Sequence, residues 1–135
     1  MNNEVKQTSM KVDIILSDGF VMTELSGVVD VLRLANRVVD KKMFTFGYVS
    51  PEAGIVKSSA DTWLNASALS NNPDADIAVF LGNSDLNFTS REIEKAVHKY
   101  RYTNAKVVLL AEAAAIYISA NSDDGFGHTT HWENR

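Results

Sequence analysis

Val107-Val108-Leu109-Leu110-Ala111-Glu112-Ala113-Ala114-Ala115 reads as a buried-type strand that runs straight into an alanine-rich helix with no room for a loop. A turn that sharp presents one residue at the carboxyl end of the strand, where open α/β sheets place their chemistry. That residue is Ala111. A nucleophile elbow needs Cys or Ser there, because a methyl group can neither ionise nor attack a carbonyl. The stretch therefore has the pattern of a catalytic turn without its nucleophile, and it reads as part of a binding site before it reads as part of an enzyme.

The elements around it alternate. Lys11 to Ser17 is a first buried strand, ended by the turn Asp18-Gly19. From Thr23, apolar residues at Leu25, Val28, Val29, Leu32, Ala35 and Val39 recur at three- and four-residue spacing, which predicts a helix with one core-facing stripe. Arg33, Arg37, Lys41 and Lys42 lie towards its carboxyl end, where cations suit the helix dipole. Phe44 to Val49 is a second strand, and Ile55 to Ser58 with Thr62 to Leu64 suggests a short hairpin. Asp76 to Leu81 is a third core strand ending at Gly82-Asn83. Thr89-Ser90-Arg91-Glu92 is a capping box that opens a helix to about Tyr102. The strand Lys106 to Ala111 comes next, then a helix from Glu112 to about Ala120, then a last strand from His128 to Trp132. The expected fold is a doubly wound, flavodoxin-like parallel sheet with helices on both faces. Residues 1–10 are expected to be a frayed tail and residues 11–135 one domain. Because the chain stops three residues after Trp132, that domain is expected to be incomplete at its C-terminus, or its bare edge to be covered by another chain.

Composition narrows the function classes. The 135 residues, 45% of them apolar, support a single core. No apolar run approaches the roughly 20 residues of a membrane span, and the polar N-terminus is not a secretory signal. The chain has no cysteine, which removes disulfides and thiolate metal sites and fits the cytoplasm. A net charge of -4 argues against a nucleic-acid surface. The nearest basic patch, Lys95, His98, Lys99 and Arg101, is more simply the solvated, C-terminal face of a helix that begins with Glu92 and Glu94. His128 and His131 are three apart, which on a strand puts them on opposite faces, so no metal and no cofactor is expected.

Three positions converge at the carboxyl ends of the strands: Glu24 at the start of the first helix, Ala111 at the elbow, and His131 in the last strand. Each has a plainer reading. An acid in a first turn is favoured by the dipole, which covers Glu24 and Glu112 alike, and a strand histidine is commonly a hydrogen-bonded structural one. The pattern resembles the ThiJ/PfpI superfamily, whose fold is shared with class I glutamine amidotransferases. The acid falls at Glu24, and Thr129-Thr130-His131 matches the family's His segment. Ser17-Asp18-Gly19-Phe20, Val31-Leu32-Arg33-Leu34-Ala35-Asn36-Arg37 and Thr130-His131-Trp132-Glu133-Asn134 further resemble the amidotransferase-like N-terminal sensor domain of AraC-family transcriptional regulators, in particular those responding to arginine, carnitine or glycine betaine. Ser122-Asp123-Asp124-Gly125 departs from the family's Leu-Leu-Asp-Gly turn.

The resemblance implies a non-catalytic domain that senses a small amino-acid or betaine-like effector, and DNA contact only through a helix-turn-helix module not found in this chain. Glu24 and Glu112 would attract a cationic group, while amides at Gly82-Asn83 and beside Ala111 would meet a carboxylate, with His131 nearby. A turn that needs a permissive backbone is the other reading of Gly82-Asn83. A homodimer is expected, joined through the uncovered last strand. Two other functions stay open: a ThiJ/PfpI-type hydrolase using a non-thiol route, and a dimerisation module with a vestigial site.

Overall fold

The computed structural model describes residues 9–39, 42–82 and 90–110. Six strands and two helices follow in the order β1 (Met10–Ile15), α1 (Met22–Val38), β2 (Phe44–Ser50), β3 (Gly54–Lys57), β4 (Trp63–Ala68), β5 (Ile77–Phe80), α2 (Ser90–Tyr102) and β6 (Lys106–Leu109). They form one sheet in the order β3-β4-β2-β1-β5-β6. Five of the strands are parallel, and only β3 runs antiparallel, against β4. This is the flavodoxin-like arrangement expected from the alternation of strands and helices. The helix from Glu112, the elbow at Ala111 and the strand from His128 to Trp132 lie outside the described residues.

Two-residue periodicity assigns every central strand side chain to one of two layers. In β1, Val12 and Ile14, with Leu16 beyond it, join Phe20, Leu25, Val79 and Leu81 on one face, where Val28, Val29 and Leu32 of α1 pack. Ile15 faces the other way, with Ala78 and Phe80 of β5 and Ile93, Ala96, Val97 and Tyr100 of α2. The 93, 96, 97, 100 spacing is that of a single helical face, and all four residues are at most 3% exposed. Among the described residues, one helix thus covers each face. The α1 stripe is shorter than its sequence pattern implies: Val39 is the C-cap residue and is 38% exposed.

The antiparallel edge has a local cause. The link between β3 and β4 is too short for a parallel crossover, so the strands can only form a hairpin. Ser58 closes it. Its hydroxyl oxygen accepts from the amides of Ala60 (3.0 Å) and Thr62 (3.1 Å), and Asp61 takes a left-handed conformation at φ 60°. The loop after β1 docks on the same hairpin: Gly19, at φ 89°, donates to the Lys57 carbonyl at 2.7 Å, and Asp18 Oδ1 accepts from the Lys57 amide at 3.0 Å. Two side chains act as strand partners elsewhere. Asn36 accepts from the Phe44 amide (2.8 Å) and donates to its carbonyl (3.0 Å), and Asp76 Oδ2 accepts from the Lys11 amide (2.8 Å).

Helix α2 ends in a Schellman motif. Ala105 N–H bonds the Tyr100 carbonyl and Asn104 N–H the Arg101 carbonyl, both at 3.0 Å, with Asn104 in the left-handed region at φ 66°.

Candidate functional site

Strand β1 connects through α1 to β2 on one side, and β5 connects through α2 to β6 on the other. The chain therefore reverses direction between β1 and β5, and the crevice at their carboxyl ends is the topological switch point where open α/β sheets bind ligands. Backbone bonds hold those ends level: Leu16 N–H to the Val49 carbonyl, Leu81 N–H to Ile15 and Leu110 N–H to Phe80, at 2.9, 2.9 and 3.0 Å.

Glu24 stands at this crevice because α1 starts immediately above it. The N-cap of α1 is Val21, whose side chain has no oxygen to offer, and Glu24 is the acid of the first turn. An acid at this third helical position often reaches back to its own N-cap amide. Here Glu24 Oε1 accepts from the amide of Gly82, just past β5, at 2.7 Å. Glu24 is half-buried and Gly82 buried. The bond crosses 58 residues of sequence and ties the head of α1 to the exit of β5. Two of the six candidate site residues are thus brought together, as partners of each other. The Gly82 amide, expected to meet a ligand carboxylate, is in this structure occupied by Glu24. Asn83, Ala111, Glu112 and His131 lie outside the described residues.

On the far side of β1 a cleft of about 230 Å³ is lined by Ser17, Asp18, Ser50, Pro51 and Glu52 among others. Two of its polar groups are engaged within the protein: Asp18 holds the Lys57 amide, and the Ser50 hydroxyl donates to the Glu52 carbonyl. Among the described residues no group of three or more His, Asp or Glu could hold a metal, and no helix is long and apolar enough to cross a membrane.

Sequence reading passed over one buried polar pair. Tyr100, fully buried on α2, donates its hydroxyl to Asp13 Oδ2 on β1 at 2.8 Å, with Asp13 itself 8% exposed. Burial, and then the bond to Asp13, push the Tyr100 hydroxyl well above the usual tyrosine range. Tyr100 also packs edge-on to Phe80, with ring centroids 6.0 Å apart. The pair sits on the α2 face of the sheet and is structural.

No protein-family model and no curated protein matches the sequence. Solved structures do match. An AraC-family transcriptional regulator from Pseudomonas putida is 25% identical, with a TM-score of 0.79 over 93% of this chain and 69% of its own. A cysteine-to-alanine variant of a DJ-1 superfamily protein from Salmonella typhimurium is 22% identical, with a TM-score of 0.68 over 84% of this chain and 61% of its own. A ThiJ/PfpI domain protein from Brachyspira murdochii is 13% identical, with a TM-score of 0.74 over 94% of this chain and 73% of its own. The last two show the fold. The fold that the sequence resemblance implies is therefore the one the described residues adopt, and the chain spans roughly two thirds of the proteins it resembles.

Proposed function

We propose that this chain is the non-catalytic sensing domain of an AraC-type transcriptional regulator and binds a small zwitterionic metabolite at the crevice between β1 and β5. The observation that carries the reading is the Glu24–Gly82 bond at the switch point. It pairs a carboxylate with a backbone donor, which are the two groups that a cation and a carboxylate on one ligand would each seek. An amino acid or betaine can exchange with it: the ligand's cationic end takes Glu24, and its carboxylate takes the released Gly82 N–H. A hydrogen bond to a charged group contributes about 1.5–3 kcal/mol, so the exchange costs little once both ends are replaced.

Similarity to a transcriptional regulator supports a regulatory role, and the chemistry points the same way. The chain contains no cysteine, and by the sequence reading Ala111 falls where a nucleophile elbow needs Cys or Ser. In this reading Glu112 and Asn83 add to the cation and anion subsites, His131 borders them, DNA is contacted by a helix-turn-helix module elsewhere in the regulator, and the protein works in the cytoplasm.

Calorimetric titration with arginine, carnitine and glycine betaine tests the proposal. Glu24→Gln keeps the shape and an acceptor for Gly82 but removes the charge, and should weaken binding by about 1–3 kcal/mol with little change in folding. Equal affinities for the two proteins would remove Glu24 from the site, and no heat with any of the three would sink the ligand class.

A further inference from the structure

The head of α1 is held from outside the helix. Its N-cap, Val21, makes no side-chain capping bond, so the first turn is not fixed by a cap of its own. The β3–β4 hairpin fixes the incoming chain instead. Asp18 Oδ1 accepts from the Lys57 amide at 3.0 Å, and Gly19 N–H donates to the Lys57 carbonyl at 2.7 Å, so two successive loop residues take both backbone groups of one β3 residue. Further along, Ser59 N–H donates to the Phe20 carbonyl at 2.9 Å, and the Thr62 hydroxyl donates to Met22 Sδ at 3.4 Å. Phe20, 1% exposed, joins the hydrophobic cluster that contains Val56 and Ala66 of the hairpin. This ladder of contacts runs from Asp18 to Met22, the first residue of α1, and Glu24 stands two residues beyond its end.

We propose that Asp18 is the positioning residue for Glu24: its carboxylate stands in for a strand partner of Lys57, pins the loop after β1 to the hairpin, and so keeps Glu24 within reach of the Gly82 amide. The margin is small. The Glu24–Gly82 bond is 2.7 Å long, and a shift of the helix head by about 1 Å takes the carboxylate out of hydrogen-bond range. The inference rests on the reading of Glu24 and Gly82 as the ligand-binding pair, and it adds a residue to that reading. A ligand that exchanges with their bond needs the carboxylate held over the crevice beforehand, because a group already in place does not have to be ordered when the ligand arrives. The geometry itself exists without ligand and can be measured there.

Hydrogen exchange of the Gly82 amide and its proton resonance, both read by NMR on the ligand-free 135-residue chain, test the proposal. Asp18→Ala should let the Gly82 amide exchange about tenfold faster, the protection that one hydrogen bond to a charged acceptor supplies. Its resonance should move towards the position it takes in Glu24→Ala, where the acceptor is gone. Asp18→Asn keeps an oxygen that can accept from the Lys57 amide and should return both readings to those of wild type. The amides of Ile93, Val97 and Tyr100, on the helix that covers the other face of the sheet, should exchange alike in wild type and both Asp18 variants. That control separates a displaced Glu24 from a general loss of stability. A Gly82 amide unchanged by Asp18→Ala would overturn the proposal and leave the packing of Phe20 to hold the helix head. So would an Asp18→Asn protein as disturbed as Asp18→Ala, or an acceleration shared by the α2 amides. Glycine betaine titrated into the same proteins should bind Asp18→Ala about tenfold more weakly than wild type. A wild type that binds no glycine betaine would count against the ligand reading alone, because the exchange measurements decide the role of Asp18 without it.

Discussion

The two helices cover opposite faces of one sheet and are built on opposite terms. Helix α2 spends its apolar residues inward: Ile93, Ala96, Val97 and Tyr100 are all at most 3% exposed, and its exposed side carries Lys95, His98 and Arg101. Helix α1 is longer, 17 residues against 13, yet only Leu25 is fully buried, and three large aliphatic side chains point outward. Its first turn gives the switch-point acid, and its outer face gives an exposed apolar stripe. A helix held chiefly by its own packing serves the fold. A helix that leaves apolar side chains exposed among the described residues has surface available to something else.

The sharpest way to break this comparison is to delete the same apolar mass from each helix. Ile93→Ala opens a cavity beside Ile15, Phe80 and Tyr100 and should cost about 2–5 kcal/mol, the range for such core truncations. Leu34→Ala, measured in dilute protein, should stay within about 0.5 kcal/mol of wild type, as exposed substitutions do. Chemical denaturation gives both numbers. A costly Leu34→Ala under dilute conditions would mean that the outer stripe packs within its own chain.

Tyr100 gives a smaller effect with a pH signature. Tyr100→Phe keeps the ring against Phe80 but leaves Asp13 without its hydroxyl donor, and should cost about 1–3 kcal/mol at neutral pH. The folded state holds the Tyr100 proton more tightly than the unfolded chain does. The hydroxyl therefore contributes stability that is fully present below the unfolded tyrosine value of about 10 and is lost as pH rises above it. Wild type should lose stability above that pH more steeply than Tyr100→Phe. Parallel denaturation curves for the two proteins through the alkaline range would contradict this account.

These cases also mark where the sequence stops being legible. Helix α1 was readable because Leu25, Val28, Val29 and Leu32 repeat at helical spacing, α2 because Thr89-Ser90-Arg91-Glu92 reads as a capping box, and β5 because Ile77 to Phe80 is a continuous apolar run. Strand β4 was only half visible. After Trp63 and Leu64 it runs on through Asn65-Ala66-Ser67-Ala68, where only Ala66 is buried and small side chains leave no apolar alternation to read. Glu24 and Gly82 were each marked as candidates for a ligand, but their mutual bond spans 58 residues, and the Tyr100–Asp13 bond spans 87. Contacts of that kind follow from sheet order, which local periodicity does not encode. Asn36 lay inside a recognised motif, yet its hydrogen bonds to Phe44 show it closing the turn from α1 into β2.

Gly27 offers the finest test, because a single methyl group on the exposed side of α1 separates helix propensity from packing. Alanine is favoured over glycine inside a helix by about 0.5–1 kcal/mol, mostly because glycine loses more backbone freedom on folding. Among the described residues the added Cβ meets nothing within 4 Å, so no steric penalty offsets the gain. Gly27→Ala should therefore raise the stability of dilute protein by about 0.5–1 kcal/mol. Chemical denaturation of wild type and Gly27→Ala measures the gain, and a destabilised variant would place a neighbour over Gly27 from within the chain.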